Sequence, residues 1–331
     1  MTFPSLSDVE VAQKRIENYV FRTPIIESPD VNSQLGFRLL LKMESFQRTG
    51  SFKFRGAFNK ISKLVETQIC QGVVAFSSGN HAQGVAAAAK IFDIPAIIVM
   101  PSDAPETKIT RTRNYGAEVI LYERKDGNRV AIAQQIQKDT GYELIPPYDD
   151  LDILAGQGTV ALETLKYLET IDCKIDTFLT PISGGGLMSG CALALRGIDP
   201  SINLVCVEPN DYNDTELSLV HKKRVKLVPN RPSICDALLL ETPGKLTFEI
   251  IKTLGVRGIS VTDYSTQNAM KIAFNEFKVV LEPSGAIALA AALDKNFDYK
   301  PKCVLAVCSG GNVDQNFFTE TISKILHYAY Y

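Results

Sequence analysis

Polar and apolar positions along the chain follow two periods. Residues 7–19 place apolar side chains at helical spacing, and Ser7 with Glu10 three positions on reads as a capping box opening that helix. Residues 38–45 alternate in the manner of a strand. Short apolar runs then recur at 73–77, 96–100, 118–122, 177–181, 202–208, 258–261 and 304–308, separated by helical patterns. Strands that alternate with helices argue for βαβ units, because a parallel pair needs a crossover and a helix is the usual one. The expected class is therefore α/β, with parallel or mixed open sheets flanked by helices. Ile145-Pro146-Pro147-Tyr148-Asp149-Asp150 interrupts the pattern and is the best crossing point between two lobes. Residues 72–149 then form a small, mobile domain, and 1–71 with 150–331 a large one. A last helix is expected over 314–328, and no internal repeat is visible.

Composition narrows the function more than the fold. The 331 residues are 45% apolar and 22% charged, as in an ordinary globular protein. A net charge of -2 supplies no electrostatic reason for nucleic acid or an anionic membrane as partner. The first fifteen residues lack the basic-then-apolar pattern of a signal peptide, and no apolar run is long enough to span a bilayer. Seven cysteines without a C-x-x-C pair read as reduced thiols, so the expected location is the cytoplasm. With only three histidines, a zinc site of His and Cys is not expected.

The chemistry centres on Thr49-Gly50-Ser51-Phe52-Lys53-Phe54-Arg55-Gly56-Ala57, which follows a strand. An amine crowded by Phe52 and Phe54, with Arg55 adjacent, is expected to lose charge by desolvation and by like-charge repulsion. Such a lysine is a nucleophile toward carbonyls and suits an aldehyde cofactor, although a surface lysine opening a helix fits the nonapeptide equally well. Three loops lie where an open parallel sheet places ligands, at strand C-termini. Ser77-Ser78-Gly79-Asn80-His81 offers hydroxyls and backbone N–H groups at a helix start, an anion site of carboxylate size or a plain capped turn. Pro181-Ile182-Ser183-Gly184-Gly185-Gly186-Leu187 is a strand–glycine–helix turn able to wrap a phosphate, without Walker or dinucleotide spacing. Cys308-Ser309-Gly310-Gly311-Asn312 ends the last strand and could present the Ser309 hydroxyl to a ring nitrogen.

Taken in this order, the lysine, anion loop, triglycine loop and terminal serine resemble the fold-type II pyridoxal-phosphate enzymes. Within them the chain is most similar to threonine dehydratases and serine racemases. TGSFKFRGA, SSGNHAQG, AGQGT (155–159), VEP (207–209), EPSGA (282–286) and CSGGNVD (308–314) carry the resemblance, which runs from about residue 24 to 314. It implies that the large domain binds the cofactor and that Lys53 holds it covalently, with Phe52 against its ring. Asn80 would bond the ring hydroxyl, and Gly184, Gly185, Gly186 and Leu187 would cradle the phosphate. Ser309 would face the pyridine nitrogen, while Ser77, Ser78, Gly79 and His81 would take the substrate carboxylate. Glu208, Asp214 and the Tyr212 carbonyl match the family's site for Mg²⁺, Mn²⁺ or Ca²⁺, a hard cation suited to oxygen ligands.

The implied reaction is loss of water and then ammonia from L-threonine or L-serine, giving 2-oxobutanoate or pyruvate. A neutral serine at the ring nitrogen favours prompt expulsion of a β-leaving group over a long-lived carbanion. Serine racemization and hydroxyaspartate dehydration are the alternatives. Ser78 bears on the first, because many dehydratases of the family carry alanine there and serine racemases carry serine. A hydroxyl facing Lys53 across the substrate would supply a second proton donor. The resemblance also implies a homodimer or larger homo-oligomer, with a small hydroxy-amino acid as the binding partner. Ser183 replaces the usual first glycine of the phosphate loop, Ala237 a glycine, and Pro146 a common histidine. The chain ends soon after CSGGN, so feedback through a C-terminal regulatory domain is not expected. Two other classes remain: a β-replacement synthase, against which SSGNHAQG argues, and a non-catalytic binder, against which intact Lys53 and Ser309 argue.

Overall fold

The computed structural model describes residues 3–68, 70–123, 125 and 127–323. Its strands are β1 (Ile25–Ile26), β2 (Arg38–Met43), β3 (Val73–Phe76), β4 (Ala96–Pro101), β5 (Glu118–Tyr122), β6 (Glu143–Leu144), β7 (Thr177–Pro181), β8 (Asn203–Pro209), β9 (Arg257–Val261) and β10 (Cys303–Cys308). The helices follow as α1 (Leu6–Ile16), α2 (Pro29–Leu35), α3 (Lys53–Glu66), α4 (Asn80–Ile91), α5 (Glu106–Asn114), α6 (Arg129–Thr140) and α7 (Leu151–Thr170). After them come α8 (Gly186–Ile198), α9 (Asp214–Val220), α10 (Lys245–Thr253), α11 (Asp263–Phe277), α12 (Pro283–Leu293) and α13 (Gln315–Ser323). The expected last helix is present to Ser323, and its remainder lies outside the described residues.

Two sheets result. One has the order β1-β2-β10-β7-β8-β9, parallel except for β1, and the other is the parallel sheet β5-β4-β3-β6. The strand alternation seen in the chain is thus an α/β fold, and both faces of the larger sheet are covered. Leu39, Leu41 and Met43 of β2 pack into one apolar cluster with α11 and α12, whereas Leu40 points into the other with α7 and α8. Burial on both faces explains why β10, Cys-Val-Leu-Ala-Val-Cys, is continuously apolar.

The start of α1 differs from expectation. Ser5, not Ser7, is the N-cap, and its N–H and hydroxyl donate to Asp8 Oδ2 at 2.7 and 2.8 Å. The earlier start puts Leu6 in the helix, on one stripe with the buried Val9, Ala12 and Ile16. Core burial outweighs the choice between two similar caps. The two-residue strands β1 and β6 were also not expected, being too short to show a period.

Candidate active site

Register in the larger sheet assembles three of the loops. Met43 of β2 pairs with Cys308 of β10, which has β7 on its other side, so the C-terminal ends of neighbouring strands deliver Lys53, Ser309 and the glycine turn side by side. Phe52 N–H donates to Ser309 O at 3.1 Å, and Ser51 forms an isolated bridge with Gly310. From the smaller sheet, the end of β3 presents Ser77 to His81 opposite them. A cavity of about 680 Å³ lies between, lined by Phe52, Lys53, residues 77–81, Gly185, Gly186, Leu187, Tyr212 and Ser309. Gly184, Glu208 and Asp214 are not among the lining residues.

Lys53 opens α3. Its Nζ donates to Pro147 O at 3.0 Å and lies 5.0 Å from the Phe52 ring centroid. Burial pushes its pKa down to about 8. Arg55 does not contribute, contrary to expectation. It turns away into Glu44 and Glu163, because residues two apart on a helix face different ways. His81 donates its ring Nε2–H to Ile145 O at 2.9 Å, and burial with the nearby Lys53 charge lowers its pKa to about 3. His81 is therefore neutral at physiological pH.

The glycine turn is shaped for close approach. A Cβ on Gly184 would lie 2.1 Å from the Tyr148 ring, and Gly185 caps α8 at φ 90. Thr247 braces the turn by donating its hydroxyl to Gly184 O at 2.6 Å, and Asp149 accepts from Thr247 N–H at 3.1 Å. Those glycines let Tyr148 and Thr247 pack against the turn, and Gly185, Gly186 and Leu187 at the start of α8 face the cavity, a helix N-terminus suited to a phosphate. A desolvated amine and a phosphate cradle in one cavity fit pyridoxal phosphate.

Polar groups outside the expected set complete the wall. Asn80 donates to Glu282 Oε1 and accepts from Asn312 Nδ2 at 2.8 Å. Lys108 of α5 bonds Asp236 and stands 3.8 Å from Glu282, so it ties α5 to residues on the larger-sheet side of the cavity. Burial raises Glu282 to about 7, against the opposing pull of Lys108. Arg129 lines the same cavity, with its guanidinium 5.6 Å from the Phe76 ring centroid.

Glu208 is fully buried and accepts from the N–H groups of Thr215 and Glu216 at 3.0 and 2.8 Å. Asp214 Oδ2 has no hydrogen-bond partner, and burial pushes the Asp214 carboxyl up to about 8. Two adjoining buried carboxyls are a suitable donor pair for a hard cation, although no group of three His, Cys, Asp or Glu occurs among the described residues.

Comparison with known proteins gives one consistent family. Residues 16–310 match the model described as "Pyridoxal-phosphate dependent enzyme". The chain is 41% identical over 324 residues, 98% of each chain, to an L-threo-3-hydroxyaspartate ammonia-lyase of Saccharomyces cerevisiae. It is 40% identical to an L-threonine ammonia-lyase of Thermotoga maritima, covering 97% of this chain and 78% of that one. The structure of maize serine racemase superposes with a TM-score of 0.90 at 39% identity over 97% of both chains.

Proposed function

Because the chain belongs to the pyridoxal-phosphate dependent enzymes, in the fold-type II branch of ammonia-lyases and racemases, we propose that it dehydrates L-serine and L-threonine. The observation that carries this reading is the desolvated Lys53 amine in one cavity with an anion loop and a glycine cradle. When bound, pyridoxal phosphate supplies the electron-withdrawing ring that makes the substrate Cα proton acidic and lets a β-hydroxyl leave. The protein's own part begins with the carboxylate. Ser77, Ser78 and Gly79, with the start of α4, hold it against the smaller sheet. Lys53 would hold the cofactor, and its desolvated, neutral amine is placed to take the substrate Cα proton. Asn80 would position the ring, Ser309 would offer its nitrogen a neutral hydroxyl, and the turn 184–187 would hold the phosphate. Residues 72–149 would move as one small domain to close the cavity and exclude water.

A second reading rests on Arg129. A guanidinium in the cavity wall suits a substrate with a second carboxylate, and hence 3-hydroxyaspartate. Keto-acid formation across L- and D-serine, L-threonine and L-threo-3-hydroxyaspartate tests both readings. A preference for hydroxyaspartate selects the second, and no keto acid from any of the four would sink both. Ser78 is expected to give serine racemization as a side reaction. In Ser78→Ala, D-serine formation should fall at least ~100-fold, the scale of one acid–base group, while most L-serine elimination persists. Absence of D-serine from the wild type would leave Ser78 a carboxylate ligand alone.

We also propose that Glu208, Asp214 and the Tyr212 carbonyl bind a divalent cation. A ligand held only by the native state adds about 2.7 kcal/mol at a hundredfold excess over its Kd. Chelation should therefore lower Tm by several degrees, Mg²⁺ should restore it, and Asp214→Ala should remove the response. Indifference to chelator together with an unchanged Asp214→Ala variant would overturn the cation site.

A further inference from the structure

Far from the cavity, at the opposite end of the larger sheet, two thiols meet. Cys303 opens β10, and Cys173 lies in the turn between α7 and β7. Their sulfurs are 3.9 Å apart although the residues stand 130 positions apart in the chain. Cys303 is held firmly. Its N–H donates to Asp176 Oδ2 at 3.2 Å, and its carbonyl accepts from Asp176 N–H at 3.0 Å. Cys173 is the accessible member, half-buried in a turn whose preceding residue, Asp172, has φ 47. Arg38 of β2 donates Nη1–H to Cys173 Sγ at 3.2 Å.

We propose that Cys173 and Cys303 are a redox modification site, closing reversibly to an intrachain disulfide under peroxide. A disulfide needs the sulfurs at about 2.05 Å, so they must approach further, and Cys173 lies outside helix and strand, where the backbone is not fixed by a ladder. The division of labour follows from position. Arg38, which also pairs with Glu27, donates a hydrogen bond to the Cys173 sulfur, and that sulfur is the more accessible of the two, so Cys173 is the one that meets peroxide. Cys303, which burial pushes up to about 12, stays protonated until it is needed. In the first step the Cys173 thiol attacks hydrogen peroxide, the O–O bond breaks, and a sulfenic acid and one water form. In the second the Cys303 sulfur displaces the hydroxyl from Cys173 sulfur, and its proton leaves with that hydroxyl as a second water. Each sulfur gives up one electron, and the peroxide takes both. A dithiol reverses the change by exchange.

The consequence is mechanical. The bond would fasten the α7–β7 turn to the start of β10, the strand that pairs with both β2 and β7. Closing so long a loop restricts the unfolded chain strongly. The cavity loops leave the other ends of these strands, so turnover should be retained while thermal stability rises.

The test uses the full-length holoenzyme with a small excess of hydrogen peroxide. Two of the seven thiols should be lost on counting in denaturant, and peptide mapping should recover one 173–303 cross-link. Tm should rise by several degrees and return with dithiothreitol. Cys173→Ser should abolish the cross-link and the shift, whereas Cys70→Ser should leave both. Free alkylation of Cys173 and Cys303 after peroxide treatment, or a cross-link joining two chains or involving Cys70, would overturn the proposal.

Discussion

Lys53→Ala is expected to yield a colourless protein with ammonia-lyase activity reduced at least ~1000-fold, the scale on which a nucleophile and proton acceptor is lost. The wild type should be yellow, and borohydride should attach the cofactor to Lys53. The expectation rests on position as well as residue type. Lys53 opens α3 at the end of β2, level with the Ser309 loop on one side and facing the Ser77–His81 loop on the other. Its depressed pKa adds a pH signature. An ordinary lysine titrates near ~10.4, so few of its amines are neutral at physiological pH. Here half are neutral near pH 8. Cofactor capture by the cofactor-free protein should therefore quicken about tenfold per pH unit below 8, and then level off. Because the folded pKa lies below the unfolded one, the folded chain binds fewer protons between those values. Stability of the cofactor-free protein should rise with pH through that window. A capture rate still climbing beyond pH 9, or a yellow Lys53→Ala reduced at another lysine, would count against Lys53.

How much of this was legible in the sequence depends on whether neighbours in the chain are neighbours in space. The strands of the larger sheet could be read because both their faces are buried, which leaves uninterrupted apolar runs such as 303–308. The cavity loops could be read because glycine, serine and asparagine cluster directly after those runs. Charge partners could not. Lys108 meets Asp236 across 128 residues, and nothing in the chain around either residue foretells the pairing. Glu282 belongs to a motif, EPSGA, but nothing in that motif foretells a buried carboxyl bonded to Asn80. Arg55 shows the opposite error. Adjacency suggested that it acts on Lys53, and helical geometry directs it elsewhere.

Where Arg55 goes leads to the second large effect, on stability. Arg55 is fully buried and holds Glu44 at 2.7 and 2.8 Å and Glu163 at 2.7 and 2.9 Å. Lys42 completes the cluster by donating to Glu163 at 2.9 Å and to Thr23 O at 2.8 Å. Two cations and two carboxylates then neutralise one another beneath the first turn of α3. Arg55→Ala would leave one lysine to offset both carboxylates, and breaking such a buried pair costs about 3–5 kcal/mol. The pH dependence distinguishes this from a simple loss of packing. In the wild type, burial alone would raise Glu163, but Arg55 and then Lys42 hold it below the usual carboxylate value. Its contribution to stability is present above that usual value and fades as pH falls through the lower, folded one. Without Arg55, burial dominates, the folded pKa of Glu163 rises above the unfolded one, and the slope reverses. The variant should thus lose stability as pH rises past the usual carboxylate value, and Arg55→Ala with Glu163→Gln should flatten that loss. Urea unfolding at several pH values measures it, and parallel wild-type and Arg55→Ala curves would show that charge is not what Arg55 supplies.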